Sequence, residues 1–231
     1  YTLLFGGNGP NTILPIVQNV GYGMREFVPV AQINYSPPLL VVRPDAPWKD
    51  AREFIEDARQ RPNRILFAHT GVYGAAHFPM LLVQEATGVR VTFVSYDGGG
   101  PALLAVASRN ADASFLFAAQ VLPYWRAGRV KVLGVAAPAR LESLPDVPTL
   151  KEQGIDVEFR MWRAVLAPAG ISQDRLRVLR EAFRKVVDDP SFKALMRQLD
   201  EPIIYMDGPE FAEFWRQEWE SVRKAAQAVL N

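Results

Sequence analysis

Between residues 64 and 136 the chain repeats one local plan: a short apolar run, a turn-forming loop, then a helical pattern. The runs are residues 64–68, 89–94, 113–117 and 130–136. Glycines mark two consecutive exits, at Gly71 and Gly74 and again at Gly98, Gly99 and Gly100. Short strands alternating with helices predict an α/β fold with a largely parallel sheet, and argue against all-α and all-β architectures. Glycine at a strand-to-helix turn also admits a close-approaching ligand, and a helix N-terminus offers N–H groups without intrahelical acceptors.

The flanking segments fit the same class. Asp50-Ala-Arg-Glu53 is a capping-box pattern, followed by Ala51, Phe54, Ile55 and Ala58 at helical spacing. A helix over 78–86 stops at Gly88, and a helix of roughly ten residues precedes Gly128. Residues 27–42 are apolar and extended, but Pro37-Pro38 interrupts them. Proline cannot donate to a sheet ladder, so this is two strands or one strand crossing between domains. Residues 157–167 form a second extended apolar segment. Beyond Gly170, Ser172 is placed to cap a helix carrying Leu176, Leu179, Phe183 and Val186 on one face. Asp207-Gly-Pro-Glu210 starts a second helix, with Phe211, Phe214, Trp215, Val222, Ala226 and Val229 inward. Tyr1-Thr-Leu-Leu-Phe5 reads as a core strand. A core strand at the first residue, with no methionine ahead of it, suggests a start lying upstream.

Composition removes several functions. The chain has 26 Lys+Arg against 25 Asp+Glu, a balance that disfavours nucleic-acid binding. The absence of cysteine excludes thiol catalysis, cysteine-ligated zinc and disulfides. His69 and His77 are the only histidines, and their spacing is not that of a zincin helix. No metal and no cofactor is expected. No apolar run reaches the ~18 residues of a membrane span. There is no Walker loop, no Gly-x-Gly-x-x-Gly and no Gly-x-Ser-x-Gly elbow. Asp97 is either a base or a turn former, and His77 either starts a helix or contacts a ligand. Without a nucleophile–base pair, no catalytic residue is assigned. Trp215, Trp219 and Trp125 read as packing residues, whereas Trp162, beside Arg163, is placed to line a cleft. Arg43, Arg90, Arg109 and Arg163 read as surface or ion-pair residues.

The segment Tyr96-Asp-Gly-Gly-Gly-Pro-Ala102 resembles the Tyr-Lys-Gly-Gly-Ala-Pro-Ala segment of the tripartite tricarboxylate transporter receptors, the Bug family. Other stretches agree in order. Tyr1-Thr-Leu-Leu-Phe5 is similar to a Tyr-Thr-Leu-Leu strand, and Phe27-Val-Pro-Val-Ala31 to a Phe-x-Pro-Val strand. The 69–77 loop keeps Gly71 and His77, and Leu144-Pro-Asp-Val-Pro-Thr149 is nearly identical. Trp162 with Ala167-Pro-Ala-Gly170, and the Asp207 helix start, also match.

The resemblance implies a type II periplasmic-binding-protein-like fold, two α/β lobes joined by crossing strands. One lobe would be 1–38 plus 166–231, incomplete at its start, and the other 39–165. It implies a monomeric, non-enzymatic periplasmic receptor that captures a small-molecule carboxylate for membrane permease subunits and binds no nucleic acid. The implied contacts are Gly6, Gly7, Asn8 and Gly9 in one loop, and Thr70, Gly71, Val72, Tyr73 and Gly74, with His77, in a second. Tyr96, Asp97, Gly98, Gly99, Gly100 and Pro101 form a third, joined by Leu116, Phe117 and Trp162. Backbone amides would grip the carboxylate, partly through water, and a side chain at Gly99 is expected to occupy the anion's approach.

Three departures shift the expectation. The family's first strand–helix unit with its Pro-Gly-Gly loop has no counterpart, Asp97 stands for the usual Lys, and Leu116-Phe117 replace polar residues. With Val72 and Tyr73 also in place of small polar residues, the pocket reads as more apolar, suited to an aromatic or longer-chain carboxylate. The alternatives are the effector-binding domain of a LysR-type regulator, which shares the fold, and a small α/β enzyme using His77 or Asp97.

Overall fold

The computed structural model describes residues 2–199 and 201–230, the last three by backbone alone. Its elements run β1 (Leu4–Gly7), a π-helical turn (Gly9–Ile13), α1 (Leu14–Val17), β2 (Phe27–Ser36), β3 (Leu39–Val42), α2 (Ala51–Gln60), β4 (Leu66–His69), α3 (Phe78–Thr87), β5 (Thr92–Ser95) and α4 (Gly99–Ala107). They continue as β6 (Ala113–Leu116), α5 (Ala118–Arg126), β7 (Lys131–Val135), β8 (Met161–Pro168), α6 (Gln173–Asp188), α7 (Pro190–Gln198), β9 (Met206–Asp207) and α8 (Gly208–Leu230).

The chain divides into two compact units, Tyr1–Ser36 with Met161–Asn231, and Pro37–Arg160. It passes between them at 36/37 and 160/161. The first passage lies at the prolines, which end β2 because they cannot extend its ladder. The second differs from the expected 165/166. All of β8 pairs with β2, from Ser36↔Met161 to Phe27↔Pro168, and its middle also pairs with β1, so the strand belongs to the first unit.

The Pro37–Arg160 unit holds a sheet of order β5-β4-β6-β3-β7. Strand β4 is parallel to β5 and β6, while β3 is antiparallel to β6 and β7. The carboxyl ends of β4, β5, β6 and β7 therefore share one end of the sheet. From β4 the chain moves outward to β5, then returns across β4 to β6. That reversal is the switch point at which open α/β sheets bind ligands. On one face, Leu103, Val106, Val121 and Leu122 of α4 and α5 pack on Leu39, Val41 and Ala68. Each such large buried side chain contributes about 1.5–3 kcal/mol. Elsewhere in the unit the Phe67 ring meets those of Phe93 and Phe115.

The sequence signals for α2 are visible as bonds. Asp50 accepts the Glu53 amide at 2.9 Å, while Glu53 reaches back one residue further than a standard box, to the Lys49 amide at 2.8 Å. Gly88 ends α3 at φ +73°, a left-handed conformation that glycine adopts without penalty.

The other unit is an antiparallel sheet of order β1-β8-β2-β9. Alternate residues of β8 face opposite layers. Trp162, Ala164 and Leu166 meet Phe211 and Trp215 of α8, whereas Val165 and Ala167 meet Leu176 and Val187 of α6. Three expectations change here. The first strand is no core strand: β1 is at the sheet edge, Phe5 is 62% exposed, and Leu3 and Leu4 are exposed too. Tyr1 lies outside the described residues, as does the side chain of Val229. On α6, Val187 is buried and Val186 is 41% exposed, because one residue rotates a helical side chain by about 100°. Ser172 stands at the cap position without a capping bond, while Asp189 caps α7 through the Ser191 and Phe192 amides.

Candidate functional site

Three loops leave the same end of the Pro37–Arg160 sheet, after His69, Ser95 and Leu116, and they contain most of the expected contacts. The first is built by its own backbone. Gly71 has φ +113° and Tyr73 φ +59°, the latter an uncommon conformation for a side-chain-bearing residue. The Gly74 amide donates to the Gly71 carbonyl at 3.1 Å, and the His77 and Phe78 amides donate to the Gly74 carbonyl at 2.9 Å. These bonds satisfy the first turn of α3 from within. Thr70 and Gly71 are half-buried, whereas Val72 is 57% exposed.

His77 closes this loop from below. Its Nδ1 accepts the Tyr73 amide at 2.9 Å. The ring lies over His69 at 4.5 Å and 33°, and the Phe93 edge meets it at 4.2 Å. Burial, with His69 adding to it, pushes the imidazole pKa from 6.5 down to about 4. His77 is thus a neutral, buried acceptor at the start of α3. Sequence spacing did not indicate its stack on His69.

The second loop is tied to the first through the Tyr96 amide, which donates to the His69 carbonyl at 2.9 Å. Gly98 precedes α4 at φ +101°. The Ala102 amide makes the helix's first bond, to the Gly98 carbonyl. Gly99 and Gly100 therefore carry N–H groups without an intrahelical acceptor, and Pro101 has no N–H. Asp97 is exposed beside them. A Cβ on Gly99 would lie 2.4 Å from Gln120 Oε1 of α5. The space beside Gly99 holds the Gln120 amide, the far end of a flexible side chain, so a side chain at Gly99 meets Gln120 first. Gln120 carried no signal in the sequence, being one exposed residue in a helix's first turn.

Phe117 begins α5, with its carbonyl accepting the Gln120 and Val121 amides. Ala118 and Ala119 are then the second pair of N–H groups without intrahelical acceptors. Phe117 is half-buried. Leu116 is 1% exposed and packs in the α4–α5 core, so only its backbone is available at the strand end.

The remaining expected contacts lie in the antiparallel unit. Gly6 and Gly7 are the last residues of β1, and the Gly7 amide donates to Asn11 Oδ1 at 3.1 Å. A Cβ on Gly6 would stand 2.5 Å from the same oxygen. Gly6 thus has a packing neighbour in Asn11, whereas a Cβ on Gly7 would stand 3.1 Å from the Trp162 carbonyl oxygen. Asn8 is buried and Gly9 starts the π-helical turn. Trp162 does not line a surface. It is 0% exposed, its ring lies 4.9 Å from Phe211 and 5.7 Å from Trp215, and its Nε1 donates to Glu218 at 2.7 Å. The indole is buried because it falls on the face of β8 that α8 covers.

Two helix N-termini at one sheet end present N–H groups and positive dipole ends, an arrangement chemically suited to an anion. Among the described residues, no three His, Asp or Glu side chains group to hold a metal ion, and no helix is long and apolar enough to cross a membrane.

The chain is 31% identical over 196 residues to a UPF0065 protein of Bordetella pertussis, covering 83% of this chain and 60% of that protein. It thus spans well under two thirds of that relative's length. Among solved structures, MatC of Rhodopseudomonas palustris, with bound malate, superimposes at a TM-score of 0.85 with 25% identity, over 97% of this chain and 79% of that one. Rpa4515 of R. palustris, with adipate, gives 0.84 and 26% over 98% and 78%. The architecture is that of the periplasmic binding proteins. The model of the tripartite tricarboxylate transporter family receptor matches residues 1–229, and the chain belongs to that family.

Proposed function

We propose that this chain is a periplasmic receptor that captures a small organic carboxylate with the amides of Gly99, Gly100, Ala118 and Ala119 and delivers it to the membrane permease subunits of a tripartite tricarboxylate-type transporter. The observation that carries the reading is the convergence of α4 and α5 N-termini at the strand ends of one sheet. Backbone donors suit a carboxylate because their geometry is fixed and no buried counter-charge has to be desolvated. The two solved relatives are described with malate and adipate, both carboxylates. The family match favours the receptor reading over the regulator alternative. Nothing in the loops supplies a nucleophile with its base, so the reading needs no catalysis.

Val72, Tyr73 and Phe117 surround these loops with apolar and aromatic surface, which favours an aromatic or longer-chain acid over a four-carbon one. A thermal-shift panel of malate, succinate, glutamate, adipate and benzoate tests this. At a hundredfold excess over Kd, binding adds about 2.7 kcal/mol, or roughly 5–10 °C for a chain of this size. The expected result is the largest shift with adipate or benzoate. Shifts only with malate, succinate or glutamate would overturn the ligand class, and no shift with any carboxylate would overturn the receptor reading.

A further inference from the structure

We propose that His77 is a positioning residue that holds the 70–74 loop in its ligand-receiving shape by accepting the Tyr73 amide, so that carboxylate binding requires a neutral imidazole. The inference rests on the receptor reading. Its structural part stands on three observations. Tyr73 sits at φ +59°, a conformation that side-chain-bearing residues rarely keep without support. The support is the 2.9 Å bond from its amide to His77 Nδ1. The neutral His77 ring is in turn packed against His69 at 4.5 Å and Phe93 at 4.2 Å.

Protonation reverses the contact. An Nδ1 that gains a proton becomes a donor facing the Tyr73 N–H, and the bond is lost. The titratable groups facing His77 are His69, from β4, and Tyr73, from the loop itself; Phe93, from β5, is neutral. None of these supplies a counter-charge. His69 is itself buried, and its Nδ1 has no hydrogen-bond partner among the described residues. A charged His77 is therefore expelled from the stack, and Tyr73 relaxes with it.

Two substitutions separate positioning from packing. His77→Asn places Oδ1 near the position of Nδ1 and keeps an acceptor that does not titrate. His77→Leu keeps apolar bulk and removes the acceptor. The readouts are the exchange rate of the Tyr73 amide by NMR without ligand, and the adipate Kd by calorimetry between pH 7 and pH 4. Expected are slow Tyr73 exchange in wild type and His77→Asn, and at least tenfold faster exchange in His77→Leu. At pH 7, His77→Asn should bind adipate within threefold of wild type and His77→Leu at least tenfold more weakly. At pH 4, where about half of the imidazoles carry a proton, the wild type should bind about twofold more weakly relative to His77→Asn, a comparison from which adipate's own titration cancels. Equal Tyr73 exchange in His77→Leu and wild type would overturn the proposal, as would identical pH profiles for wild type and His77→Asn. If adipate binds neither wild type nor any variant, the longer-chain ligand class fails while the exchange measurement still decides the role of His77. If His77→Leu does not fold, the pH comparison of the other two decides.

Discussion

Removing Glu201 should cost this fold several polar contacts at once. Its Oε2 accepts Asn34 Nδ2 at 3.0 Å and the Ser36 hydroxyl, and stands 3.5 Å from Arg163 Nη1. The same Arg163 nitrogen donates to Ser36 Oγ at 2.8 Å. Asn34 and Ser36 are buried at the end of β2, beside the 36/37 passage, and Arg163 pairs with Asn34 across the ladder. In Glu201→Ala both donors lose their acceptor. A hydrogen bond to a charged group is worth about 1.5–3 kcal/mol. Arg163 is partly exposed and regains water, so its share is at most ~1 kcal/mol. Ser36 Oγ still accepts from Arg163, but its own hydroxyl proton loses its acceptor, and the expected loss is about 3 kcal/mol. Glu201→Gln, which retains one acceptor oxygen, should lose roughly half of that. Urea unfolding followed by circular dichroism measures both, with unchanged m-values expected if only the native state is affected. A double-mutant cycle with Arg163→Met should give a coupling of about 1 kcal/mol. A loss below about 1 kcal/mol in Glu201→Ala would refute the reasoning, since two buried donors cannot lose an anionic acceptor so cheaply.

The glycines of the second loop separate by conformation. Gly98→Ala, at φ +101°, should cost about 1–3 kcal/mol. Gly100→Ala, with open space around its Cβ position on an exposed helical residue, should gain up to ~1 kcal/mol. Equal melting temperatures for the two would contradict this. Trp162→Phe keeps most of the ring packing but deletes the 2.7 Å bond to Glu218, and about 2 kcal/mol should be lost in denaturant unfolding; a loss under about 0.5 kcal/mol would count against it. The lowered pKa of His77 means that the unfolded chain binds the proton first. Its contribution is complete above pH 6.5 and declines as pH falls towards about 4, by up to ~3 kcal/mol. Unfolding of wild type against His77→Asn at pH 7 and pH 4.5 checks the sign, and a wild type that gains relative stability in acid would contradict it.

The fold was legible where a local pattern coincides with its cause. Asp50 and Glu53 cap α2 through bonds of adjacent residues, and Pro37-Pro38 ends a strand wherever it occurs. Gly98 marked its loop because only backbone conformation was at stake. What depends on distant partners was not legible. Trp162 looks the same in sequence whether α8 or solvent covers it, and its burial follows from Phe211 and Trp215, far along the chain. The phase of α6 was misplaced by one residue because Val186 and Val187 are equally apolar and only the sheet beneath selects between them. The approach of Asn11 to Gly6 was equally hidden, because a glycine turn looks the same in sequence whichever side chain packs on it.

The arginines clarify why the amides are the better candidates for holding an anion. The chain carries nearly equal numbers of basic and acidic residues. Three of the four arginines singled out in the sequence are paired with carboxylates. Arg43 lies 2.9 Å from Asp45 and 3.0 Å from Asp112, Arg109 lies 3.3 Å from Asp45, and Arg163 is held by Glu201. An arginine recruited from such a pair would leave its carboxylate uncompensated, at a cost comparable to the bond gained. The N–H groups at the starts of α4 and α5 have no intrahelical acceptor to surrender. They carry the positive end of each helix dipole, fixed in place by the core beneath. On the proposed reading, anion recognition at this sheet end would come from the order of strands β5-β4-β6, which brings the helix starts to one end, and selection among carboxylates would be left to the side chains around them, Val72, Tyr73 and Phe117.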